Sequence, residues 1–238
     1  MTKSPVRYRA MRKEDVPELI RLEAASFPGI PPERHWIPAM LEAHVDKFPE
    51  GQFVAEIDGR LVGSATTLLV PLAAALTPHK WREITGGGYL TTHDPSGDAL
   101  YGTEVMVHPD ARRRGIGRHL YELRKDLIRR RNLRAFVTGG RIPEYVKHAG
   151  EMSASAYVRS VLRGERTDRT LTPQLRSGMT VAGVMPAYIT DPNSRNWATL
   201  LVWWNLDYEA PTSLTPAAPS ARAGDSATAK AQRAGHDR

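Results

Sequence analysis

The stretch YGTEVMVHPDARRRGIGRHLYELRKDLIRRR, Tyr101 to Arg131, decides the fold. Glu104, Val105, Met106 and Val107 read as a strand, and His108-Pro109 ends it, because proline has no N–H to continue a ladder. A helix follows. Ile116, Leu120, Leu123 and Leu127 share one face at helical spacing, which predicts that Arg118, Arg124, Lys125, Arg129 and Arg130 face solvent.

Between strand and helix lies Arg112-Arg113-Arg114-Gly115-Ile116-Gly117. Glycines at a helix mouth let a ligand approach the backbone, and the first helical N–H groups have no partner within the helix. The helix dipole and the arginines favour the same ligand, a phosphate. A Walker A loop would need Lys-Ser or Lys-Thr after its last glycine, whereas Gly117 precedes Arg118-His119. A Rossmann turn would need a third glycine where Leu120 stands, and would follow its strand at once. Neither nucleotide motif fits.

The pattern Arg/Gln-x-x-Gly-x-Gly/Ala after a strand ending Val-x-Pro, here Val107-His108-Pro109 through Arg112 to Gly117, resembles the acetyl-CoA loop of the GNAT superfamily of N-acetyltransferases. The resemblance implies an α/β (α+β) fold, a mixed and mostly antiparallel sheet with a splayed central strand pair and helices on both faces. It also implies that acetyl-CoA is the acyl donor. The pantetheine arm would lie along Val105, Met106 and Val107, with its pyrophosphate held by Arg112, Arg113, Arg114, Gly115, Ile116, Gly117 and Arg118.

Of the 238 residues, 41% are hydrophobic, enough for a substantial core. We read one acyltransferase domain over residues 1–208. Residues 209–238, rich in Ala, Ser, Pro and Gly without apolar periodicity, read as a disordered tail. No cysteine is present, which excludes disulfides, thiolate zinc sites and a cysteine nucleophile. The histidines lack metal-ligand spacing, and Asp94 to Asp98 lacks the closing glutamate of a calcium loop, so no metal is expected. The N-terminal residues lack an apolar signal core, and no run of about eighteen apolar residues occurs. The expectation is a soluble cytoplasmic protein with no membrane partner.

The formal charge is +7, and Arg112 to Arg134 hold ten Lys or Arg against Glu122 and Asp126. Such focused charge suits the phosphates of coenzyme A better than an extended nucleic acid, which ranks as the weaker partner.

Val6 to Met11 alternates as a first strand. Asp15 and Glu18 suggest a capping box for a first helix, and Trp36 to Phe48 a second. Asp58-Gly59 joins two apolar runs, Gln52 to Ile57 and Leu61 to Val70, as a hairpin. The long insertion over 71–99 is expected to shape an acceptor site. Leu133 to Thr138 is a strand, Ser153 caps a helix reaching Arg163, and Pro173 to Ser177 form a helical turn. Thr180 to Met185 and Trp197 to Leu206 are the last strands. The apolar C-terminal strand is expected to offer an edge for a homodimer.

Trp81 to Leu90, Gly140 to Tyr145 and Trp203-Trp204-Asn205 resemble a GNAT branch often fused to a nitrilase-like carbon-nitrogen hydrolase; no hydrolase segment follows in this sequence. By the same resemblance, His35 and Trp36 lie near the amine acceptor, with ordinary packing as the alternative. Many relatives carry a tyrosine that protonates the departing thiolate, at the position of Gln174 here. Tyr145 and Tyr157 are the candidates to replace it. Glu104 fits two roles, a general base for the acceptor ammonium or the partner of an arginine. His108 and His119 flank the loop without a clear catalytic role. The function expected is acetyl transfer to a primary amine by direct attack in a ternary complex. The alternative is a CoA-binding module without catalysis.

Overall fold

The computed structural model describes residues 4–28 and 35–211. The strands β1 (Arg7–Ala10), β2 (Phe53–Ile57), β3 (Arg60–Val70), β4 (Ala99–Val107), β5 (Ala135–Arg141), β6 (Thr180–Met185) and β7 (Ala198–Trp204) form one sheet in the order β1-β2-β3-β4-β5-β7-β6. Every neighbouring pair is antiparallel except β4 with β5. One face carries α1 (Val16–Ser26), α2 (Pro38–Lys47), α3 (Leu72–Leu76) and α4 (Trp81–Ile84); the other carries α5 (Ile116–Arg130), α6 (Ala154–Leu162) and α7 (Leu171–Arg176). The fold is mixed α/β. The described residues up to Tyr208 form one compact unit, and the expected tail lies, from residue 212 on, outside the described residues.

The hairpin forms where Asp58-Gly59 predicts it, with φ of 51° and 78° at the two turn residues. Ser153 caps α6 by accepting from the Ala156 N–H at 3.2 Å. The capping box of α1 does not form. Asp15 instead binds the Arg9 guanidinium at 2.7 and 2.8 Å, and Glu18 accepts the Leu61 N–H at 2.9 Å. Both carboxylates join α1 to the sheet rather than to its own first turn.

Helix α5 buries Ile116, Leu120, Leu127 and Ile128 against the sheet, each contributing about 1.5–3 kcal/mol. Two residues depart from the expected solvent face. Arg124 is buried, its guanidinium over Tyr121 and Phe136 at 4.1 and 4.7 Å from the ring centroids. Lys125 is also buried, donating to the Ser177 carbonyl at 2.6 Å. Arg124 lies between α5 and the sheet, against Phe136 of β5, whereas the turn after α7 closes over Lys125; a helical wheel shows neither. The C-terminal strand differs too. Because β7 lies between β5 and β6, both its edges are occupied, and it offers no free edge to a second copy.

The insertion over 71–99 is ordered. It supplies α3, α4 and a turn at Gly86, Gly87 and Gly88 with φ of 58°, 74° and 96°. His44 of α2 is fully buried with its Nε2 2.8 Å from the Gly88 carbonyl. Burial lowers its pKa to about 4, so the ring is neutral and donates that bond.

Candidate acyl-CoA site

Strands β4 and β5 pair in parallel only from Ala99↔Ala135 to Gly102↔Thr138. Beyond that level they part. Glu104 to Val107 pair with β3 alone, while Gly139 to Arg141 pair with β7 alone. A cavity of about 950 Å³ opens from this gap to the mouth of α5, lined by Val105, Met106 and Val107 on one wall and by Gln174 and Ser177 of the α7 region on the other. The expected splay is present.

At the mouth, Gly115 caps α5 with φ of 79°, and Arg113 has φ of 60°; such left-handed residues among right-handed ones turn successive N–H groups into a concavity suited to an anion. A Cβ on Gly117 would meet only Val107 Cγ2, at 3.8 Å. Packing alone therefore does not demand glycine there, and the space beside it is open to the cavity. Arg112, Arg113, Gly115, Ile116, Gly117 and Arg118 all line the cavity. Arg114 does not; its guanidinium bonds the Ser4 carbonyl and ties β1 to the loop. Arg112 stiffens the entrance by donating to the Val107 and Ser26 carbonyls, both at 3.3 Å.

Glu104 owes its direction to a β-bulge. The register with β3 slips between Thr66↔Glu104 and Thr67↔Gly102, leaving Thr103 as the extra residue. Without that slip Glu104 would share a face with Leu100, which packs beneath α5. With it, Glu104 joins Tyr101 and Met106 on the face of α1 to α4. There it meets Glu23 of α1, a residue that periodicity placed in the helix but that no motif singled out. The Trp36 backbone N–H donates to Glu23 at 2.8 Å, and the Trp36 indole N–H donates to Glu104. His35 Nδ1 lies 3.5 Å from Glu23.

Burial, then the neighbouring Glu23 charge, raises the Glu104 pKa to about 8, against the opposing pull of Trp36 and Arg141. Burial raises Glu23 to about 7. Near neutrality the pair therefore retains protons, and it can take up more as an acceptor releases them. Of the two roles open to Glu104, arginine partner and base, the first is not built. The hydrogen bond of Glu104 goes to Trp36, and Arg141 pairs with Asp191 at 3.5 Å. Trp36 is itself buried and meets Trp81 of α4 edge-on at 5.5 Å, so the insertion backs this site.

The two tyrosines stand elsewhere. Tyr145 donates to the Met152 carbonyl at 3.1 Å, Tyr157 to Asp168 at 3.0 Å, and neither lines the cavity. Burial and then the Asp168 charge raise the Tyr157 pKa, which suits a structural hydrogen bond. His119 stacks on Tyr8 at 3.9 Å, and His108 lies 2.9 Å from an Arg60 nitrogen. Gln174 is 5% exposed, lines the cavity, and its Oε1 has no hydrogen-bond partner among the described residues. Ser26 Oγ, on the opposite wall, is buried and unpartnered in the same way.

A parted parallel strand pair with a glycine-mouthed helix at the head of the cavity between them is the arrangement of an acyl-CoA-dependent transferase fold; Glu104, on the α1 to α4 face of β4, does not itself line that cavity. Comparison with known proteins agrees. Residues 16–142 match the model of the acetyltransferase (GNAT) family, and the chain belongs to that family. It is 36% identical over 202 residues to the uncharacterized N-acetyltransferase YkwB of Bacillus subtilis (strain 168), covering 84% of this chain and 89% of that protein. It is 44% identical over 201 residues to the probable hydrolase YhcX of the same organism, but that match covers 84% of this chain and 39% of YhcX. Among solved structures, the GNAT-like decarboxylase GphF in complex with isobutyryl-CoA superposes with a TM-score of 0.73 at 26% identity, over 83% of this chain and 98% of that one. The putative acetyltransferase YncA of Salmonella typhimurium, with acetyl-CoA, gives a TM-score of 0.54 at 18% identity, over 88% and 99%. No helix among the described residues is long and apolar enough to cross a membrane, and no group of three or more His, Cys, Asp or Glu among them could hold a metal.

Proposed function

We propose that the domain of residues 1–208 transfers acetyl from acetyl-CoA to a primary amine by direct attack in a ternary complex. The observation that carries this reading is the cavity that runs from the Gly115–Gly117 mouth along Val105, Met106 and Val107 into the gap where β4 and β5 part. The loop amides and Arg113 and Arg118 would hold the phosphates, and the parted β4 backbone the pantetheine. Glu104 takes the ammonium proton, and the carboxylate pair attracts the cationic acceptor. The same reading places the chain in the cytoplasm, where acetyl-CoA is available.

Thiol release from acetyl-CoA over a panel of primary amines tests the reaction. The expected result is amine-dependent release with intersecting initial-velocity lines. Parallel lines would point to an acyl-enzyme and contradict direct attack, and no release with any amine would leave the chain a CoA-binding module.

The likeness to GphF supports a second reading, decarboxylation of a carboxyacyl-CoA, with a protonated Glu104 quenching the carbanion. Against it, whatever charge the partly protonated pair carries is negative, which disfavours an anionic acyl group beside it. Carbon dioxide release from malonyl-CoA without an amine would favour this second reading over acetyl transfer.

A further inference from the structure

Gln174 has an unusual placement for a buried amide. Its side chain covers Gly140 of β5, where a Cβ would overlap Oε1; that oxygen is buried and has no donor among the described residues, and the residue lines the cavity. Buried carboxamides are normally hydrogen-bonded, so an unpartnered one on the wall of a cleft is a group that a ligand could complete.

The register shows which part of the ligand it meets. Gly102 and Thr138 are the last paired residues of β4 and β5. Gly140 lies two residues beyond Thr138, and Glu104 lies one register step beyond Gly102 because Thr103 is bulged, so both stand just past the parting of the strands on either side of the gap. They also point to opposite faces. Glu104 faces α1 to α4, and the side chain over Gly140 comes from α7, on the face of α5. An acyl group in the gap is thus flanked by the carboxylate on the side where an amine would enter and by the carboxamide on the other.

We propose that the Gln174 carboxamide binds the thioester end of acyl-CoA and holds the sulfur as it leaves. This rests on the acyl-transfer reading above. The amine nitrogen forms its bond to the acyl carbon, the carbon–sulfur bond breaks with its electron pair passing to sulfur, and the ammonium proton goes to Glu104. Gln174 Nε2–H donates to the thiolate, while Oε1 accepts an amide N–H of the pantetheine arm. A carboxamide has no proton to release, so the thiolate takes its proton from solvent.

The test titrates acetyl-CoA and ADP into the full chain and into Gln174→Met and the isosteric Gln174→Glu, with thiol release measured alongside. The expected result for Gln174→Met is acetyl-CoA affinity lowered about tenfold, as for one lost hydrogen bond, with ADP affinity unchanged. Its kcat falls as well, and Gln174→Glu, which sets a negative charge beside the thiolate, falls further. Wild-type acetyl-CoA affinity and kcat in both variants would overturn the role of Gln174 while leaving acyl transfer intact. Failure of the unaltered chain to bind either ligand would overturn both.

Discussion

Glu23 of α1 and Glu104 of β4 hang from one residue, the first on the Trp36 backbone N–H and the second on its indole N–H. This clamp brings together two carboxylates distant in sequence on the α1 to α4 face of the sheet. Burial makes the pair a store of protons near neutrality.

Replacement of Glu104 by Gln keeps the indole bond but removes the base. The expected effect is a fall in kcat of about 100-fold or more, with acetyl-CoA affinity unchanged. In the unaltered enzyme, activity should climb with pH as Glu104 deprotonates near its raised pKa of about 8, and this limb should be lost in Glu104→Gln. Measured pH–rate profiles of the two proteins check both expectations.

The same residue makes stability depend on pH. An unfolded glutamate ionises near 4.5, whereas folded Glu104 holds its proton to about 8. Between those values the native state binds more protons than the unfolded state, so raising the pH weakens the fold. Glu104→Gln should therefore melt a few degrees higher than the unaltered chain at pH 9, with the difference shrinking towards pH 4.5. Thermal melts across that range decide it.

Trp36→Phe removes the indole donor to the charged form of Glu104 and leaves the backbone bond to Glu23. The Glu104 pKa should rise further, moving the ascending limb of activity to higher pH. An unmoved limb would show that the indole bond does not tune the base.

Tyr157→Phe separates structure from chemistry. The lost bond to Asp168 should cost about 1 kcal/mol of stability, with kcat kept within about threefold. Denaturant melts and steady-state rates give the two numbers; a large loss of kcat in a stable variant would return Tyr157 to the reaction.

The strand, glycine mouth and helix from Tyr101 to Arg131 were legible in sequence because apolar spacing, proline and glycine each report local geometry. The Asp58-Gly59 hairpin was legible for the same reason. What depends on distant segments was not. The bulge at Thr103 that turns Glu104 to the face of α1 to α4 leaves no mark in composition, and Glu23 is joined to Glu104 only through Trp36, a residue beyond its own helix. Arg124 reads as solvent-facing until the sheet is placed beneath it and Lys125 until the turn after α7 covers it, and β7 reads as an edge until β6 is placed outside it. Gln174 was recognisable only as a departure from a pattern, since its unpaired oxygen is a property of the folded cavity.

The central claim is that the glycine mouth of α5 holds the phosphates of acetyl-CoA. Calorimetric titration of the unaltered chain and of Gly117→Trp with acetyl-CoA, with ADP and a short DNA duplex for comparison, tests it most directly. The account predicts one acetyl-CoA site, weaker ADP binding and no DNA binding in the unaltered chain, with acetyl-CoA binding abolished in a folded Gly117→Trp. Equal acetyl-CoA affinity in the two proteins, or DNA binding in place of acetyl-CoA, would contradict it.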